Sequence, residues 1–198
     1  MLTRLDRDVA LLVVDLQRGL SQRSLTQPFG EIVRRANVLA AEFRRHGLPV
    51  VLITAGGVPP GRVDVPARSA GVALDENFAE LAPGLVRADD DLIVSKRSPG
   101  AFARTGLDEM LAGRGVTQVV VAGVTTSGGV AATGRQAWEL GYHVAFPTDV
   151  TGDRDVEVHA DAVASVLPRI GQVASTAEIC AALADPRPGA GLGAGRTA

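Results

Sequence analysis

Cysteine, aromatic rings and an excess of either charge are all scarce in this 198-residue chain, and each scarcity removes a class of protein. One cysteine, Cys180, cannot form an intrachain disulfide, so no disulfide framework holds the fold and a reducing, cytoplasmic setting is expected. Aromatic residues make up 4%, too few for the stacked platforms that grip single-stranded nucleic acid. A formal net charge of −2 offers no attraction to a phosphate backbone or an anionic membrane surface. No apolar run approaches the roughly 20 residues of a membrane span. The opening MLTRLDRD leads straight into an apolar strand, without a signal-peptide pattern. The histidines, His46, His143 and His159, fall on separate elements with no ligand spacing, so neither a metal nor another cofactor is expected.

What is present is an ordinary globular balance, 46% hydrophobic and 21% charged, in a length that suits one domain. The runs VALLVVD (9–15) and PVVLITA (49–55) are continuously apolar, as strands buried on both faces must be. DLIVS (91–95), TQVVVAG (117–123) and HVAFPTD (143–149) read as three further strands, and 171–174 as a short edge strand. Between them lie helical patterns near 29–46, 106–114, 129–140, 156–167 and 176–184. Gly47 and Gly141 are placed to stop the first and third of these. The stretch 56–71 is a long loop rich in glycine and proline, and 186–198 is a tail with nothing to bury, expected to be disordered. Strands alternating with helices predict a single α/β domain over 1–185. Its expected architecture is a Rossmann-like three-layer αβα sandwich on a mainly parallel sheet of five or six strands. Ligands of such folds sit beyond the carboxyl ends of the strands. That rule nominates Asp15, Ala55, Gly56, Lys96 and the stretch 123–129.

Two of these residues carry charge. Asp15 ends a run of six apolar residues, where desolvation raises a carboxyl pKa, and Lys96 stands at a comparable strand end. Together they make a proton-handling pair; separately they are a loop cap and a solvated lysine. The third feature is the glycine-rich passage from strand to helix at 123–129. Free N–H groups at such a helix start suit an anion, and the same pattern fits a plain turn with Thr126 or Ser127 as N-cap. Asp149 and Asp153, after the fifth strand, either reach this end of the sheet or are solvated loop acids. Trp138 and Tyr142, at helical spacing, are expected in the core or a subunit interface.

DLQ at 15–17, SKRSPGAF at 95–102 and AGVTTSGGVAATGRQAWELGY at 122–142, in that order, resemble the three signatures of the isochorismatase-like hydrolase superfamily. The resemblance spans residues 9–183. It implies catalytic roles for Asp15, Lys96 and position 129, and a substrate-facing place for Gln17, Gly56, Phe102, Val124, Thr125, Ser127 and Gly128. It also implies a cis peptide at Val124–Thr125, a small-molecule substrate and a homodimer or homotetramer.

Most members of that superfamily carry a nucleophilic cysteine at the position that is Gly129 here, and glycine has none to offer. Cys180, beside Ile179 and Leu183 on a helical pattern, reads as core. True isochorismatases resemble this chain in having glycine there. Their vinyl-ether hydrolysis needs a proton donor, which the resemblance assigns to Asp15 with Lys96 tuning it. The glutamine that those enzymes place after the second strand is Gly56 here, so isochorismate itself is not the implied substrate. Arg62 or Arg68 in the long loop would suit a substrate carboxylate, or is simply solvated. The expected activity is therefore cysteine-independent, Asp-mediated acid catalysis on a small carboxylated or enol-ether metabolite. The alternative is a member without catalysis that serves as a binding or assembly protein.

Overall fold

The computed structural model describes residues 2, 4–57, 59, 61–64 and 76–185; Arg68 and the tail 186–198 lie outside these. Strand β1 (Val9–Val14) runs through the middle of the sheet with every residue buried. Its pleat sends Val9, Leu11 and Val13 into one core and Ala10, Leu12 and Val14 into another. Two cores need two covering layers. Helices α1 (Phe29–Arg45) and α5 (Thr176–Leu183) close the first, through Ile32, Ala36, Leu39, Phe43, Ile179 and Leu183. Helices α2 (Leu107–Ala112) and α3 (Ala131–Glu139) close the second, through Leu107, Leu111 and Ala137.

On one side of β1 lie β2 (Val50–Ala55) and β3 (Leu92–Lys96). On the other lie β4 (Gln118–Val124), β5 (His143–Pro147), the two-residue β6 (Thr151–Gly152) and β7 (Gln172–Ala174). The order is β3-β2-β1-β4-β5-β7, with β6 against β4 and every strand pair parallel. The sheet therefore has seven strands rather than the five or six expected, because a strand as short as β6 leaves no periodicity to read. It forms because β4 changes partner along its length. Gln118 to Val120 pair with β5, while Gly123 and Val124 pair with Thr151 and Gly152.

Strands reached early in the chain lie on one side of β1 and later ones on the other. The topological switch point thus falls between β1 and β4, where this fold class opens a crevice. The two strands meet there closely. Gly123 has φ 117°, and a Cβ added to it would lie 2.0 Å from the Val14 carbonyl oxygen, so only glycine fits. The Val124–Thr125 peptide that follows is cis.

Several helix ends differ from the sequence reading. The chain makes a wide turn over Thr126–Val130, with the Val130 N–H reaching back five residues to the Thr125 carbonyl, and α3 begins only at Ala131. Helix α4 (Val156–Asp161) stops six residues short of the expected end and loosens into turns over Ala162–Val166 and Leu167–Arg169, where Pro168 has no N–H to continue it. Tyr142 is buried, with its ring centroid 5.8 Å from that of Phe102 and its hydroxyl 2.8 Å from an Asp108 oxygen. Trp138 is 51% exposed and not part of the core.

Gly123→Ala is expected to destabilise the domain by about 3 kcal/mol or more, from a strained φ and a backbone clash together. Urea unfolding measures this, and an unchanged midpoint would contradict the close-approach argument.

Candidate active site

Asp15 is the first residue past β1 and turns out of the sheet with a left-handed φ of 56°, its N–H still held by the Ile53 carbonyl at 2.8 Å. This kink aims the carboxylate across the end of β2 towards β3. There Lys96, 2% exposed, donates from Nζ to Asp15 Oδ2 at 2.9 Å. The chain after β3 curls back so that the carbonyls of Ser98, at 3.2 Å, and Pro99, at 2.8 Å, accept from the same ammonium. All three ammonium protons have acceptors, which is what a buried lysine requires. Asp15 is served less well. Its Oδ1 is buried with no hydrogen-bond partner. Burial raises the Asp15 carboxyl above its ordinary value, outweighing the charge and hydrogen bond of Lys96, which pull it down. A carboxyl with one oxygen on an ammonium and the other free in a dry setting is suited to holding and releasing a proton.

Gly129 lies directly against this carboxylate. A Cβ at position 129 would sit 2.8 Å from Asp15 Oδ2, 3.1 Å from the Val124 carbonyl and 3.1 Å from Val14 Cγ1. The space that a side chain would need is already taken, chiefly by the carboxylate. Gly128 is similarly tight, its added Cβ falling 2.6 Å from Thr125 Oγ1. Within the turn, the Thr125 carbonyl accepts the N–H groups of Gly128 and Val130, both at 3.1 Å. These amides and that of Ser127 are already committed, so the turn is not a row of free donors.

The turn is held from outside by residues that follow β6. The Asp153 carboxylate, 5% exposed, accepts the Ser127 N–H at 2.7 Å on one oxygen and its neighbour Arg154's N–H at 2.8 Å on the other. The Asp153 backbone exchanges hydrogen bonds with Thr26. Thr126, fully buried, places Oγ1 2.9 Å from Nδ1 of His159 on α4. Neither Thr126 nor Ser127 is therefore an N-cap, since one hydroxyl is bound to a histidine and the cap geometry is absent. Asp153, with two readings open from sequence, belongs to the site. Asp149 instead accepts the Thr176 N–H at the start of α5. His159 carried no signal in the sequence, because its partner lies 33 residues away on another element.

The remaining nominated residues divide. Gly56 lies at the end of β2, its N–H bonded to the Lys96 carbonyl at 2.8 Å, so it borders the site. Gln17 is fully buried. Its amide donates to the carbonyls of Ala55 and Phe78 and accepts the Ala55 N–H, pinning the loop after β1 to neighbouring backbone. Phe102 directs its ring towards Tyr142 in the second core, while its N–H bonds Gln136 Oε1 at 2.9 Å. Arg62 is exposed. Cys180 packs half-buried on α5 beside the first core, and burial pushes its thiol up, away from the thiolate a nucleophile needs. Among the described residues no group of three His, Cys, Asp or Glu is placed to hold a metal ion, and no helix is long and apolar enough to cross a membrane.

An isochorismatase domain model matches residues 9–178. The chain belongs to the isochorismatase family. YecD, an isochorismatase family protein of Escherichia coli O157:H7, is 35% identical over 188 residues, covering 89% of this chain and 97% of its own. The structure of an isochorismatase family protein from Burkholderia thailandensis superposes with a TM-score of 0.87 at 32% identity, over 91% of this chain and 98% of that one. The chain is also similar to a streptothricin hydrolase of Streptomyces noursei, 34% identical over 153 residues, which cover 77% of this chain and 52% of that protein's length.

Asp153→Ala leaves the Ser127 amide without its charged acceptor and is expected to cost about 2–3 kcal/mol of stability. Thermal unfolding measures this, and a loss under about 0.5 kcal/mol would show that the turn does not depend on Asp153.

Proposed function

We propose that this isochorismatase-family hydrolase works without a cysteine nucleophile, using Asp15 as a general acid on a small carboxylated or enol-ether metabolite. The observation that carries this reading is the contact between Gly129 and Asp15. Where a thiol-bearing side chain would project from position 129, the Asp15 carboxylate already stands, 2.8 Å from the site of the missing Cβ. The chain's one thiol, on α5, has its acidity weakened by burial.

For an enol ether, the chemistry follows from the pair. Asp15, whose hold on a proton is strengthened by burial, delivers that proton from the unpartnered Oδ1 to the methylene carbon of the substrate. The resulting oxocarbenium ion takes up water, and the hemiketal collapses to a keto acid and an alcohol. Lys96 compensates the Asp15 charge left behind, so the carboxylate is stabilised as it forms. Gly129 leaves the carboxyl group open to the substrate.

The test follows pyruvate release from isochorismate, as a model enol ether, by the wild type and by Asp15→Asn. The wild type is expected to turn it over, and the variant to lose about 10²–10⁴-fold while staying folded by circular dichroism. A folded variant with full turnover would sink the proposal. Failure by both proteins would shift weight to another substrate or to a family member that binds its ligand without converting it.

The pH profile gives an independent check. Only protonated Asp15 can act as the acid, and its carboxyl lies above the ordinary value of 3.8. Turnover at low substrate is therefore expected to be highest below the Asp15 pKa and to fall as pH rises through it. A rate that rises across the same range would assign Asp15 the role of base instead.

A further inference from the structure

Beside the catalytic turn is a second feature that the chemistry above does not use. The segment after the short turn Arg18–Leu20 and the residue following Asp153 border an open surface cavity of about 490 Å³, lined by Gln22, Arg23, Ser24 and Arg154. Two guanidiniums, a carboxamide and a hydroxyl face one space, with no carboxylate among them. Several other arginines are engaged with an acid or a backbone carbonyl: Arg18 with Glu80, Arg34 and Arg35 with Glu31, Arg44 with Asp91, Arg114 with the Met110 carbonyl. Neither Arg23 nor Arg154 pairs with an acid among the described residues.

The acids nearest along the chain are already occupied. Asp153 is buried and accepts the amides of Ser127 and Arg154, and Asp155 caps α4 by accepting the amides of Glu157 and Val158. Two like charges sharing a cavity repel each other, and an anion between them removes that repulsion. Guanidiniums match the oxygens of a carboxylate or phosphate in a bidentate manner, with the amide and hydroxyl able to take the remaining oxygens.

We propose that this cavity is a binding site for a small oxyanion, a phosphate or a carboxylate group, adjoining the catalytic centre. The two walls are already joined, since the Thr26 N–H bonds the Asp153 carbonyl at 2.7 Å and Asp153 in turn holds Ser127. An anion held by Arg154 sits one residue from the carboxylate that fixes the catalytic turn. The site does not depend on which reaction Asp15 performs.

The test is binding, followed by calorimetry and by amide signals in NMR, at ionic strength held constant with sodium chloride. Inorganic phosphate and succinate are titrated into the wild type and into Arg23→Gln/Arg154→Gln, substitutions at residues outside both hydrophobic cores. At least one anion is expected to bind the wild type with a Kd of about 1–10 mM, and about tenfold or more weaker in the double variant. The amides of Ser24, Arg154 and Ser127 should shift. Tighter phosphate identifies a phosphate-bearing occupant, and tighter succinate a carboxylate-bearing one. Equal affinity in the two proteins, no saturation by about 50 mM, or shifts confined to Gly56 and Lys96 would overturn the proposal.

Discussion

A lysine and an aspartate removed from water together depend on each other, and the rest of the site is arranged around that dependence. Taking either charge out of solvent alone costs several kcal/mol, and removing one partner from such a pair costs about 3–5 kcal/mol. The pair is also unequal. Lys96 has an acceptor for each of its protons, whereas Asp15 has a partner on one oxygen only. Asp15 is the member with less support, and burial dominates at its carboxyl. Without the left-handed kink at Asp15 the carboxylate would not reach across β2 to β3 at all.

The catalytic turn satisfies a different constraint, that of space. Gly123 allows β4 to lie against the end of β1, and Gly129 allows the following turn to lie against the carboxylate. Inside the turn the Thr125 carbonyl accepts the Gly128 and Val130 amides, with little side-chain bulk to add to them. Further support comes from outside, from Asp153 on the Ser127 amide and His159 on the Thr126 hydroxyl. The site thus has an inner group, Asp15 with Lys96 and Gly129, and an outer group that holds the turn in place.

Sequence reasoning reached the inner group well and the outer group poorly, for physical reasons. Asp15 and Lys96 stand at the ends of unbroken apolar strands, and strand ends are where an α/β fold gathers its ligands, so position alone nominated them. The same rule nominated 123–129, and the motif resemblance singled out Gly129 within it. Gln17 lies in the same motif, yet its amide is consumed by backbone at Ala55 and Phe78, and no local pattern distinguishes a buried pin from a substrate contact. Asp153 and His159 act on residues 26 and 33 positions away, across elements whose packing no periodicity encodes. The missed strand β6 is too short to show an alternation, and it exists only because β4 exchanges partners midway.

The spacing of these parts along the chain also sets when the site comes into being. Asp15 leaves the ribosome early, its lysine follows 81 residues later, and the clamp on the turn comes later still, after β6. Parallel pairings over such separations close slowly, because each must first overcome the entropy of a long loop. The Asp15–Lys96 pair and the clamp on the turn are complete together only when the last third of the chain has folded back over the first.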